Sequence, residues 1–137
     1  MNIVSQSGLS VELHSPELDS EGWVTHFCVS LKGEGLEAHL RVYNAPYGEN
    51  IADFFSALAK DWRGWEGDKE WGSLEGECAL WACTDSTGHV TLNIELQSSL
   101  CEPFWRTRIA LIIEAGQLGE IARQAKRFVY PTTNKRL

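Results

Sequence analysis

Apolar and polar residues alternate along most of this chain, and twice the alternation gives way to a helical period. Residues 9–14, Leu-Ser-Val-Glu-Leu-His, alternate one by one, the pattern of a strand with one buried face. Residues 15–22 carry Pro16, Gly22 and small polar side chains and read as a loop. Over residues 23–31, Thr25, Phe27, Val29 and Leu31 share one face, with Val24, His26, Cys28 and Ser30 on the other. A turn at Lys32-Gly33-Glu34-Gly35 leads to Leu36, Ala38, Leu40 and Val42, alternating with Glu37, His39, Arg41 and Tyr43. These three strands form an antiparallel meander with one apolar face.

After a turn at residues 45–48 the period lengthens. Asn50 with Asp53 three residues on resembles a capping box. Ile51, Phe54, Phe55, Leu58 and Trp62 then fall on one side of a helix ending near Gly64. Three more strands are predicted at residues 74–84, 89–97 and 105–114. The second points Val90, Leu92, Ile94 and Leu96 inward, the third Trp105, Thr107, Ile109, Leu111 and Ile113. A last helix carries the stripe Leu118, Ile121, Ala122, Ala125 and Phe128, with Arg123, Lys126 and Arg127 suiting its C-terminal half through the macrodipole. Residues 132–137 read as a loose tail. The order βββα therefore occurs twice, and Gly22-Trp23-Val24-Thr25 and Gly88-His89-Val90-Thr91 match at an offset of 66 residues. The expected fold is α+β: one antiparallel sheet of about six strands with two helices on one face, a single domain over 1–137 whose core spans about 9–128.

The segment between the halves, residues 61–77, is unlike the rest. It holds Trp62, Trp65 and Trp71, the glycines Gly64, Gly67, Gly72 and Gly76, and six carboxylates. The glycines stop any helix. Indoles are large for a segment that merely connects, so it reads as an ordered connector pinned to the body by tryptophan, its acids facing water.

Charge sharpens that picture. The chain of 137 residues has a net charge of −7. Residues 49–77 hold eight acids against Lys60, Arg63 and Lys69, whereas residues 102–137 hold seven bases against three acids. The basic end is too short to suggest nucleic-acid binding. An acidic surface suits a basic protein partner. No apolar run is long enough for a transmembrane helix and the first residues lack a secretory pattern, so no membrane association and a cytoplasmic location are expected.

Catalytic signatures do not emerge. His14, His26, His39 and His89 fall in predicted strands with no orienting carboxylate at a telling spacing, and Cys28, Cys78, Cys83 and Cys101 match no metal-ligand spacing. No phosphate loop or dinucleotide fingerprint is present, so neither an enzyme nor a cofactor is expected. Glu75 and Glu77 would share one face of a strand, which solvated carboxylates also do. Two candidate partner-binding surfaces remain. One is the acidic connector with Glu66, Asp68, Glu70, Glu75 and Glu77. The other is the outer sheet face, represented by Tyr43, Trp81 and Arg108, where aromatics interspersed with charge match the composition of protein interfaces.

The run Trp62-Arg63-Gly64-Trp65-Glu66-Gly67-x-Lys69-x-Trp71-x-Ser73-Leu74-Glu75-Gly76-Glu77, with Gly88-His89-Val90 and Ala125-Lys126-Arg127-Phe128, resembles a family of small bacterial proteins without assigned activity. That family is similar in size and layout to WapI-type immunity proteins, which neutralise toxins of contact-dependent or polymorphic toxin systems. The resemblance implies a protein that binds a cognate bacterial toxin and occludes its active site. The alternative is a small-molecule-binding domain or an uncharacterised enzyme with a pocket between the Trp/Gly-rich connector and the sheet.

Overall fold

The computed structural model describes residues 1–45 and 49–131, so most of the turn expected at 45–48 and all of the tail expected at 132–137 fall outside the described residues. The strands are β1 (Asn2–Val4), β2 (Ser10–Leu18), β3 (Val24–Gly33), β4 (Leu36–Tyr43), β5 (Lys69–Gly72), β6 (Cys78–Thr84), β7 (His89–Gln97) and β8 (Arg106–Glu114). Helix α1 (Ile51–Lys60) follows β4, and α2 (Leu118–Val129) follows β8 after a 3-10 turn. The expectation of one six-stranded sheet in βββα order is overturned. There are two four-stranded antiparallel sheets, ordered β1-β2-β3-β4 and β5-β6-β7-β8. The class remains α+β, with ββββα as the unit that occurs twice.

The two added strands explain the difference. β1 is three residues long and pairs with β2 through Ile3 and Val11, too short for alternation to register. β5 is Lys-Glu-Trp-Gly, an edge strand lying inside the connector and paired only with β6. Its polar composition is the kind that keeps an exposed edge from recruiting other chains. β2 also runs further than expected, through Pro16 to Leu18. The register shifts between His14 and Glu17 and Ser15 has φ 54°, so the strand passes an irregularity there instead of ending.

One core joins both sheets and both helices. Phe27, Leu31, Phe55, Leu58, Leu92, Leu111 and Leu118 are fully buried in it. The predicted stripes supply the buried faces of both helices except at Trp62, which lies beyond α1 and is exposed, and Phe128, which is half-buried. The Phe27 ring meets Phe128 of α2 edge-on at 5.6 Å. Asn50 caps α1 by accepting from the Asp53 amide, and the Asp53 carboxylate accepts from the Asn50 amide in return, the predicted capping box. Asn50 also donates to the Tyr130 hydroxyl at 2.6 Å, fixing the start of α1 to the end of α2.

Among the described residues two polar ties link the sheets. Ser5, just past β1, accepts from the Ile112 amide at 3.3 Å and donates to its carbonyl at 3.4 Å, joining the outer strands β1 and β8. At another point the Tyr43 amide, ending β4, donates to Glu77 at 3.1 Å.

Acid should loosen the fold in a defined window. The Thr87 hydroxyl, assisted by the His89 and Thr87 amides, lowers the Asp85 pKa from 3.8 to about 2 at the β6–β7 turn. Arg41 lowers that of Glu17, Lys69 that of Asp61, and Gln124 with Arg123 that of Glu120. A carboxyl with a depressed folded-state pKa contributes stability that is present above its unfolded value and lost as pH falls through the folded one. Urea midpoints at a series of pH values should therefore fall below the ordinary carboxyl range and keep falling towards about pH 2, and less so in Asp85→Ala.

Candidate functional site

The connector is pinned, but not by the residue that spacing suggested. α1 stops at Lys60, and Trp62, two residues beyond it, is 52% exposed with the Arg63 guanidinium 5.1 Å from its ring centre. The anchors are Trp65 and Trp71, both half-buried against the core. Trp65 donates its indole N–H to the Ala82 carbonyl at 3.1 Å, and its backbone amide and carbonyl both bond the Thr84 hydroxyl at 3.2 Å. Trp71 donates its indole N–H to the Glu49 carbonyl at 2.8 Å, tying β5 to the entrance of α1. Lys69 adds an ion pair with Asp61 at 2.7 Å and lies 5.6 Å from the Trp65 ring centre.

The five connector acids do not form one surface. Glu66, Asp68 and Glu70 are exposed along the first part of the connector. Glu75 and Glu77 lie in the turn between β5 and β6, not on a strand, so they do not form the same-face pair expected. Glu77 is structural: half-buried, it accepts from the Tyr43 amide and from the Ser73 hydroxyl. Ser73 in turn accepts from the Cys78 amide at 3.0 Å.

The outer face of the second sheet collects residues from both proposed surfaces. Glu70 of β5 sits directly across from Trp81 of β6, and Trp81 across from Asn93 of β7. Arg108 of β8 reaches over β7 so that its guanidinium lies 4.9 Å from the Trp81 ring centre. Glu95, paired in register with Arg108, binds it at 3.3 Å and Arg106 at 3.4 Å. Arg106 continues the line to Phe104, 5.7 Å from that ring centre. The result is a strip from the β5 edge to the β7–β8 loop, Glu70-Trp81-Arg108-Glu95-Arg106-Phe104, in which every cation is held by a carboxylate or an aromatic face.

Tyr43 belongs elsewhere. It lies on the first sheet, edge-on to His26 at 5.5 Å, and borders an apolar recess of about 320 Å³ with Trp23, Asn44 and Tyr130. A second hollow, of about 490 Å³, lies along the paired strands β5 and β6 and is lined by Asp68, Glu70, Trp71 and Trp81, so it is not a gap between the connector and the sheet.

Two features were not legible in the sequence. His14 Nε2 lies 2.7 Å from the Ser30 hydroxyl, a pair that becomes adjacent only through the β2–β3 register. Ser30 is buried and His14 Nδ1 contacts the Ser15 hydroxyl at 2.9 Å, so the ring bridges two hydroxyls and has no carboxylate to orient it. The other is the exposed apolar loop between β7 and β8: Trp105, expected to start the inner face of the last strand, precedes β8 and is 40% exposed. Among the described residues no group of three or more His, Cys, Asp or Glu is placed to hold a metal ion. The Cys78 thiol is buried, which pushes its pKa up to about 12 and keeps it protonated and unreactive. No described helix is long and apolar enough to cross a membrane.

Residues 3–132 match the model of a family of unknown function, DUF6228, and the chain belongs to that family. No curated protein and no solved structure matches the chain.

Proposed function

We propose that this member of a family of unknown function is an immunity protein, a non-catalytic cytoplasmic binder that neutralises a cognate bacterial toxin by occluding its active site. The supporting observation is the strip on the second sheet, where Trp81 lies under Arg108 between Glu70 and Glu95. Tryptophan and arginine dominate the energetic centres of protein interfaces, and side chains already held in place lose little freedom on docking. Glu70 within the strip, Asp68 in the hollow beside Trp81 and the exposed Glu66 of the same connector would speed the approach of a basic toxin. Tyr43 and Glu77 are set apart from it, the second as a structural tie.

Co-expression with a candidate toxin, sought among the neighbouring genes, tests the reading. The wild-type chain should restore growth. Trp81→Ala with Arg108→Ala should fail to do so while remaining folded, and reversing Glu66, Asp68 and Glu70 to lysine should slow association and weaken its salt dependence. A growth defect that the wild-type chain leaves untouched counts against immunity.

One observation favours a second reading, a small-molecule site or enzyme. The hollow on the β5–β6 strand pair is lined by two carboxylates, Asp68 and Glu70, and by two indoles. A metabolic gene neighbourhood, with a thermal shift on adding the corresponding metabolite that Asp68→Asn abolishes, would support it instead.

A further inference from the structure

At one end of the second sheet the β5–β6 turn and the β7–β8 loop meet. A methyl placed on Gly76 would lie 3.3 Å from Leu100, so the loop rests directly on the turn. Large apolar side chains stand out from this end: Leu74 is 62% exposed, Leu100 70%, Phe104 44% and Trp105 40%. Apolar side chains this exposed are ordinary singly, but four at one tip mark an interaction site.

The tip is also ordered. Ser98 and Trp105 close the loop with two hydrogen bonds, the Ser98 amide to the Trp105 carbonyl at 3.0 Å and the Trp105 amide to the Ser98 hydroxyl at 2.9 Å. Inside it, Gln97 donates to the Ser99 carbonyl at 2.7 Å and the Cys101 amide to the Ser99 hydroxyl at 3.1 Å. A loop braced in this way presents its apolar residues without a large ordering cost on binding.

Charge identifies the occupant. Near the tip, Arg106 and Arg108 share the one carboxylate of Glu95, and Arg41 pairs with Glu17 and is also attracted by Glu75. The exposed acids Glu75 and Glu102, each beside or near an exposed hydrophobe, are in no ion pair among the described residues. Arg41, Arg106 and Arg108 thus face five carboxylates, Glu17, Glu75, Glu77, Glu95 and Glu102, and the summed charge around the apolar tip is negative. We infer that the tip formed by Leu74, Leu100, Phe104 and Trp105 inserts into an apolar cleft on a basic protein partner, with Glu75 and Glu102 meeting the cations at the rim of that cleft. The inference rests on the immunity reading and makes the partner the basic toxin domain, contacted by the tip as well as by the adjoining strip.

The test uses the full chain and the purified domain of the toxin that the co-expression experiment identifies. Leu100→Asp with Phe104→Asp should weaken binding by about 30-fold or more, the scale of an interface hot spot, with an unchanged melting curve because both side chains are exposed. Glu75→Lys with Glu102→Lys provides a variant that leaves the apolar groups intact. It should slow association and lose its effect at high salt. Trp62→Ala, an exposed tryptophan away from the tip, should bind like wild type. If wild type binds and both tip variants bind equally well, the tip inference fails and the immunity reading stands. If wild type is a dimer that Leu100→Asp with Phe104→Asp makes monomeric, the tip is a self-interface and the inference is overturned. If wild type neither binds nor inhibits the toxin, the immunity reading fails and takes the inference with it.

Discussion

Trp71→Ala and Trp65→Ala should each lower the stability of the fold by about 2–4 kcal/mol, whereas Trp62→Ala should change it by less than about 0.5 kcal/mol. Full truncation of a buried aromatic costs about 3–5 kcal/mol, and these two are only half-buried, which lowers the expectation. Each also gives up an indole hydrogen bond to a backbone carbonyl, to Ala82 from Trp65 and to Glu49 from Trp71, which restores part of the cost. Trp71→Phe keeps the ring and loses only the N–H, so it should recover most of the stability. Urea unfolding of the four proteins separates the contributions. Equal midpoints for Trp71→Ala and Trp62→Ala would mean that the connector is not pinned as described.

Glu77→Ala should cost about 1–3 kcal/mol, while Glu75→Ala two residues away should be close to neutral. The difference lies in what each carboxylate serves. Glu77 accepts from the Tyr43 amide and the Ser73 hydroxyl, so its loss leaves part-buried donors without a partner and cuts a tie between the sheets. Glu75 is exposed in the same turn. Glu77→Gln retains an acceptor and should lie between the two. Equal midpoints for Glu77→Ala and Glu75→Ala would remove the tie from the account.

Much of this architecture was legible in the alternation itself. The strands that became β3, β4, β7 and β8 and both helices declare themselves because one face is apolar and the other is not. What the pattern could not show was which strands pair. Six strands with one greasy face each suit one sheet or two, and the decision rests on β1 and β5, which are short and carry one buried or half-buried apolar residue each, Ile3 and Trp71. The helical stripe overshot at Trp62 because spacing continues to count after the helix has ended. Asp61 caps α1, and Gly64, at φ 123°, turns the chain away. The candidate site was half legible. Trp81 and Arg108 were on the predicted outer face, but their contact over β7 depends on register, which single-chain alternation leaves open. Glu75 and Glu77 looked alike in sequence, and the five residues of the turn from Ser73 to Glu77 gave them unlike roles.

The central claim is that this protein acts by occupying its partner and not by chemistry. A fixed amount of the purified toxin domain should be titrated with increasing amounts of the chain and its residual activity measured at equilibrium. A binder that occludes the active site gives a straight decline ending at a fixed stoichiometry, with full activity recovered on dissociating the complex. Complete and lasting inactivation at a small fraction of that ratio would contradict the account, because one molecule would then have disarmed many.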